Sequence, residues 1–110
     1  MPFKFFYTDY ATDMHVRSDE AISETLDTVI GHMQRMLKEP DNFIGLIDEN
    51  NVMLQFMVED DGSICVDVPM HDRKGSLTKN ANLYESIEIV NGLKEAILFE
   101  EIEGLVFKPW

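Results

Sequence analysis

The sequence predicts an α+β fold: a mostly antiparallel sheet around a central three-stranded meander, with two amphipathic helices against it in a two-layer sandwich. Three observations predict it. From Asn42 to Pro69 apolar residues recur with a period of two, as in half-buried strands. On either side, from Ser18 and from Asn82, they recur at steps of three and four, as on one face of a helix. The chain has 110 residues, 45% hydrophobic and 27% charged, the size and balance of one globular domain spanning residues 1–110.

The elements follow in order. Phe3 to Tyr7 is aromatic and reads as a short strand, and Thr8 to Arg17 as a loop with an extended piece at Met14-His15-Val16. Ser18 is a good N-cap, and Asp19 and Glu20 suit the positive end of a helix dipole. Ile22, Leu26, Val29, Ile30, Met33 and Leu37 then form one stripe, and Pro40 stops the helix near Lys38. Phe43 to Ile47 is a strand, and Asp48-Glu49-Asn50-Asn51 is a turn. Val52, Leu54, Phe56 and Val58 alternate with Met53, Gln55 and Met57. Asp60-Asp61-Gly62 is a second turn, in which Gly62 supplies a positive φ. Ile64, Val66 and Val68 alternate with Cys65 and Asp67 until Pro69. Met70 to Asn80 is polar, with a ragged edge strand expected near Ser76-Leu77-Thr78. Asn82 caps the second helix with Glu85 in a capping box, and its stripe runs through Leu83, Ile87, Val90, Leu93 and Ile97. Glu100 to Gly104 is a turn, and Leu105 to Phe107 is a last strand.

Charge narrows the functional classes. Lysine and arginine number 9 and aspartate and glutamate 21, a net charge of -12. Such a field repels nucleic acid and anionic membranes, so neither is an expected partner. No apolar run is long enough for a spanning helix. The opening residues Met1 to Phe6 carry no signal-peptide pattern, so a cytoplasmic location is expected. Cys65 is the lone cysteine, which rules out an internal disulfide and a thiolate-rich zinc site.

Catalytic signatures are missing. His15, His32 and His71 stand at no metal-ligand spacing, and no glycine-rich phosphate loop occurs. Cys65 lies mid-strand beside Asp67, which would raise rather than lower a thiol pKa. Glu59-Asp60-Asp61 and Glu100-Glu101-Glu103 lack the ligand alternation of an EF-hand loop. The expectation is a protein that is not an enzyme, with no cofactor and no metal.

Binding features remain. Met53, Gln55, Met57 and Cys65 share the second face of the meander, a candidate dimer or partner surface wherever no helix covers it. The acidic turns Asp48-Glu49 and Glu59-Asp60-Asp61 suit a basic protein partner. Tyr84 and Trp110 are candidate aromatic anchors.

The order of a capped helix, then Asn42 to Ile47, Val52 to Val58 and Gly62 to Pro69, a late helix from Leu83 to Leu93, and the closing Gly104-Leu105-Val106-Phe107-Lys108-Pro109-Trp110 resembles small bacterial immunity proteins, notably the type guarding against nucleic-acid deaminase toxins. The polar loop Met70 to Asn80 is shorter than that family's pattern. The resemblance implies a small acidic cytoplasmic inhibitor that plugs the basic active-site region of a cognate toxin domain. An acidic secretion chaperone, a homodimeric adaptor joined through the Met53/Met57 face and a nucleic-acid-mimicking inhibitor are the alternatives, with an enzyme behind them.

Overall fold

Period-two alternation demands a sheet with two unlike faces, and the computed structural model, which describes residues 3–110, contains one. Its strands are β1 (Lys4–Asp9), β2 (Met14–Val16), β3 (Ile22–Ser23), β4 (Phe43–Ile47), β5 (Met53–Val58), β6 (Ile64–Met70), β7 (Gly75–Ala81) and β8 (Val106–Pro109). They form one eight-stranded sheet in the order β2-β1-β4-β5-β6-β7-β8, with β3 paired to β1 off that path. All its pairs are antiparallel. The helices are α1 (Leu26–Met36) and α2 (Leu83–Asn91), so the fold is α+β.

The register sorts the side chains. Ile44 and Leu46, then Leu54, Phe56 and Val58, then Ile64, Val66 and Val68 lie on one face, each at 0–1% exposure. Phe5 from β1, Val29, Met33 and Met36 from α1 and Val90 from α2 join the same cluster. Burying each large apolar side chain contributes about 1.5–3 kcal/mol, so this face carries most of the hydrophobic stabilisation. The residues of the opposite face, Phe43, Met53 and Met57 among them, lie outside that cluster.

Five expectations change. The first helix begins at Thr25, whose Oγ1 accepts from the Thr28 N–H at 3.2 Å, not at Ser18. Ser18–Glu20 is a single 3-10 turn, and Ile22–Ser23 pairs with Phe5 and Lys4 of β1. That ladder holds the backbone extended, so helical geometry starts only after it. The strand β6 runs through Pro69 to Met70, because Pro69 lies beyond the last β5 rung at Gln55↔Asp67, where a sheet tolerates proline.

Gly75–Ala81 is a full strand and not a ragged edge: β6 pairs with it along its length and β8 covers Gly75 to Thr78. The second helix stops at Asn91. Its capping box is present, the Asn82 Oδ1 accepting from the Glu85 N–H at 2.7 Å and the Asn82 N–H donating to the Glu85 carboxylate at 2.9 Å. Ile97 is buried from the following loop instead of from the helix, its N–H donating to the Asp48 Oδ2 at 2.9 Å. The last strand is Val106–Pro109, one residue later and longer than expected. Gly62 does adopt the positive φ that its turn requires, 88°. Met1 and Pro2 lie outside the described residues.

Candidate protein-binding surface

The face turned away from the helices is built from the alternate positions of the same strands. Across it run two rows fixed by register: Gln55, Asp67 and Thr78, and Met57, Cys65 and Asn80. At the β4 end the Phe6 ring lies on Gly45, where an added Cβ would collide with it, so glycine there lets an aromatic ring pave the sheet. The ring also meets Phe43 edge-on at 6.4 Å between centroids. At the β8 end the chain closes over the sheet. The Trp110 N–H donates to the Lys74 carbonyl at 2.9 Å and its indole Nε1 donates to Ser76 Oγ at 2.9 Å. The His71 ring packs against the indole edge at 5.3 Å. Trp110 is thus held at two points and still 67% exposed.

Several polar groups on this face are engaged with one another. Cys65 Sγ and Thr78 Oγ1 share a hydrogen bond of 3.2 Å. Ser76 is buried, accepts from Trp110 and sits against the Asp67 carboxylate. Burial pushes the Asp67 carboxyl above the usual carboxylate range, and the Ser76 hydroxyl partly opposes that shift. In the β5–β6 turn, Asp61 Oδ1 accepts from the Ser63 hydroxyl at 2.7 Å and the Ser63 N–H at 2.9 Å. Those bonds hold the Asp61 carboxyl below its ordinary value, so the turn stays anionic.

Two concavities join these parts. One, of about 510 Å³, lies between the acidic turn Glu59-Asp60-Asp61 and Lys108. The other, of about 330 Å³, lies between Met57, Asp67 and Trp110. Cys65, Thr78 and Lys108 line both, so the acidic turn and the tryptophan border one continuous surface. Such a surface offers an aromatic anchor, an adaptable methionine 42% exposed and a fixed cluster of anions.

The structure therefore brings together Glu59, Asp60, Asp61 and Trp110 with the Met57 face. It separates the other candidates. Asp48 is 4% exposed, and its carboxylate accepts from the N–H groups of Asn50, Val52 and Ile97 at 2.9 Å each. It clamps a turn to a distant loop, with its carboxylate engaged inside the chain. Glu49 is exposed in that turn, at the opposite end of β5 from the acidic tip. Tyr84 is 71% exposed on α2 and lines neither concavity.

Sequence reasoning missed Asp67, Ser76, Thr78 and Lys108 as members of the face. The alternation of Asp67 with Val66 and Val68 was a sufficient signal for the first. The other three needed the β6–β7 and β7–β8 pairings, which no local pattern announces.

The titratable groups are otherwise dispersed. His32 packs on the rings of Phe5 and Tyr7 at 5.2 and 5.0 Å between centroids. Burial, then the Arg35 charge, lower its pKa. Among the described residues no three His, Cys, Asp or Glu side chains are grouped to hold a metal ion, and no helix is long and apolar enough to cross a membrane. Ion pairing is equally sparse. Among the described residues the side-chain salt bridges are those of Arg17, with Asp19 at 2.7 Å and Glu20 at 3.8 Å. The excess of carboxylates is therefore left unneutralised within the chain, and its field extends into solvent. In comparisons with protein families, curated proteins and solved structures, nothing matches the chain.

Proposed function

We propose that this chain is a non-catalytic inhibitor of a basic protein, of the immunity type that neutralises a bacterial toxin domain by occupying its positively charged active-site region. In this reading the body is a two-layer sandwich whose central meander, β4 to β6, presents its uncovered face to the partner. The observation that carries it is the placement of a tethered, exposed Trp110 and Met57 beside the anionic Glu59–Asp61 turn on a sheet face with no helix over it. Trp110 is the anchor, Met57 adapts to the partner's relief, and the carboxylates stand where a nucleic-acid-binding groove expects phosphates.

The same face is less suited to a second copy of the chain. Two copies bring net charges of -12 each into contact, which opposes association at low ionic strength. A basic partner turns the same field into attraction.

The test is association kinetics with basic bacterial toxin domains, any encoded by neighbouring genes among them, followed against salt. The charge reversal Glu59→Lys with Asp60→Lys is expected to slow association about tenfold at low salt and to flatten the salt dependence. Trp110→Ala is expected to speed dissociation, at a cost of about 2 kcal/mol in affinity. Absent binding, or binding with no salt dependence, sinks the reading.

A further inference from the structure

The helix side of the molecule carries a different feature. The loop that leaves α2 builds a cleft of about 870 Å³, the largest of the concavities described. Its floor is apolar: Ile89 from the helix, Leu93 and Leu98 from the loop, and Ile102 beyond the following 3-10 turn. Leu98 is 52% exposed, although Ile97 beside it is 3% exposed and tethered to Asp48. The tether fixes the loop from beneath and leaves Leu98 facing outward. An exposed leucine held by a buried neighbour is a shaped contact, not a frayed end.

The rim is acidic by two separate means. Glu88, Glu95, Glu101 and Glu103 line the cleft against Lys79 and Lys94. The Lys79 ammonium donates to the Glu103 carbonyl at 2.8 Å, so one of its donors is engaged within the chain and its position at the rim is fixed. In addition, α2 ends at this cleft, and its last turn contains no basic residue to offset the negative end of its dipole within the helix.

We propose that this cleft binds an amphipathic basic segment of a partner protein, with a bulky apolar side chain on the Leu93/Leu98/Ile102 floor and flanking lysine or arginine against Glu95 and Glu101. The charge selects the occupant. An anionic ligand meets four carboxylates, and a second copy of the chain brings its own acidic rim. A cation-flanked apolar segment satisfies floor and rim together. The site is distinct from the uncovered sheet face and stands whether or not that face binds a toxin; Lys79 borders this cleft and also the concavity beside the acidic turn.

The test is an amide-resolved NMR titration of the full chain with a short peptide carrying two central leucines flanked by arginines. Shifts are expected to cluster at Gly92, Leu98 and Ile102. Replacing the leucines by serine is expected to weaken binding roughly tenfold. The double variant Glu95→Lys with Glu101→Lys, both at exposed positions, is expected to do the same. Trp110→Ala is expected to leave peptide binding unchanged, which separates this site from the sheet face. Three results overturn the proposal: shifts that map to Trp110 and Met57, equal binding of a peptide with glutamates in place of the arginines, or sedimentation showing that a second copy fills the cleft.

Discussion

Phe56 and Met57 are neighbours in one strand and belong to different worlds. Phe56 is completely buried beneath the helices, whereas Met57 is 42% exposed on the other side of the same sheet. The strands β5 and β6 repeat the contrast along their length. Toward the helices stand aliphatic and aromatic side chains without a polar atom. Away from them stand two methionines, a glutamine, a cysteine and an aspartate. The covered face explains why the chain folds. The uncovered face is half-buried and chemically mixed, and it is the face that the proposed function assigns to a partner.

The sharpest way to break the contrast is to truncate both neighbours. Phe56→Ala removes a ring from a close-packed core and is expected to cost about 3–5 kcal/mol in unfolding free energy. Met57→Ala is expected to cost less than about 1 kcal/mol and to weaken partner binding instead. Urea denaturation of both variants, alongside binding measured on the folded fraction, decides the matter. Equal destabilisation would mean that the uncovered face is also a core.

Asp48 and Glu49 repeat the comparison within one turn. Asp48→Ala strands the N–H groups of Asn50, Val52 and the buried Ile97, for an expected loss of about 2–3 kcal/mol. Glu49→Ala is expected to stay within about 0.5 kcal/mol of the parent chain. Hydrogen exchange sharpens the result: Asp48→Ala should release the protection of the Ile97 amide, 49 residues away in sequence, before that of β5. Unchanged Ile97 exchange would remove Asp48 from its role as the loop's tether.

The parts of this architecture that local chemistry decides were legible in the sequence. The strands β4 and β5, the glycine in the Asp60-Asp61-Gly62 turn and the Asn82–Glu85 capping box each depend on residues within a few positions of one another. Nonlocal pairing decides the rest. Ser18-Asp19-Glu20 has the composition of a helix start, yet pairing of Ile22–Ser23 with β1 delays the helix to Thr25. The stretch Gly75–Ala81 has too few apolar residues to read as a strand, and it becomes one because partners arrive on both sides. The proposed binding surface shows the same division. Its acidic tip and its tryptophan stand out in the sequence, while their adjacency depends on β8 closing beside β7. Asp48 misleads for a related reason: an aspartate in an acidic turn looks exposed until a loop from the far side of the chain supplies the amide that buries it.

Asp67 offers the finest probe of the two faces, because it is a charge placed on the half-buried side of a strand whose other side is fully apolar. Burial raises its carboxyl pKa in the folded chain above the ordinary value of 3.8, so the folded state binds the proton more tightly than the unfolded state does. The carboxylate therefore costs stability once pH exceeds the folded pKa, and the cost fades as pH falls toward and below 3.8. Asp67→Asn retains an acceptor for Ser76 and removes the charge. It is expected to stabilise the chain at pH 7 by a few tenths of a kcal/mol, since solvent screens a carboxylate that is only half-buried. That corresponds to a rise of about 2 °C in Tm, shrinking to nothing near pH 3. The same substitution also subtracts one anion from the proposed contact surface, so association with a basic partner is expected to slow slightly while stability increases. Opposite signs for folding and binding are what a functional charge on an otherwise structural sheet produces. A variant that lost stability at pH 7 would show instead that Asp67 is held there by the fold.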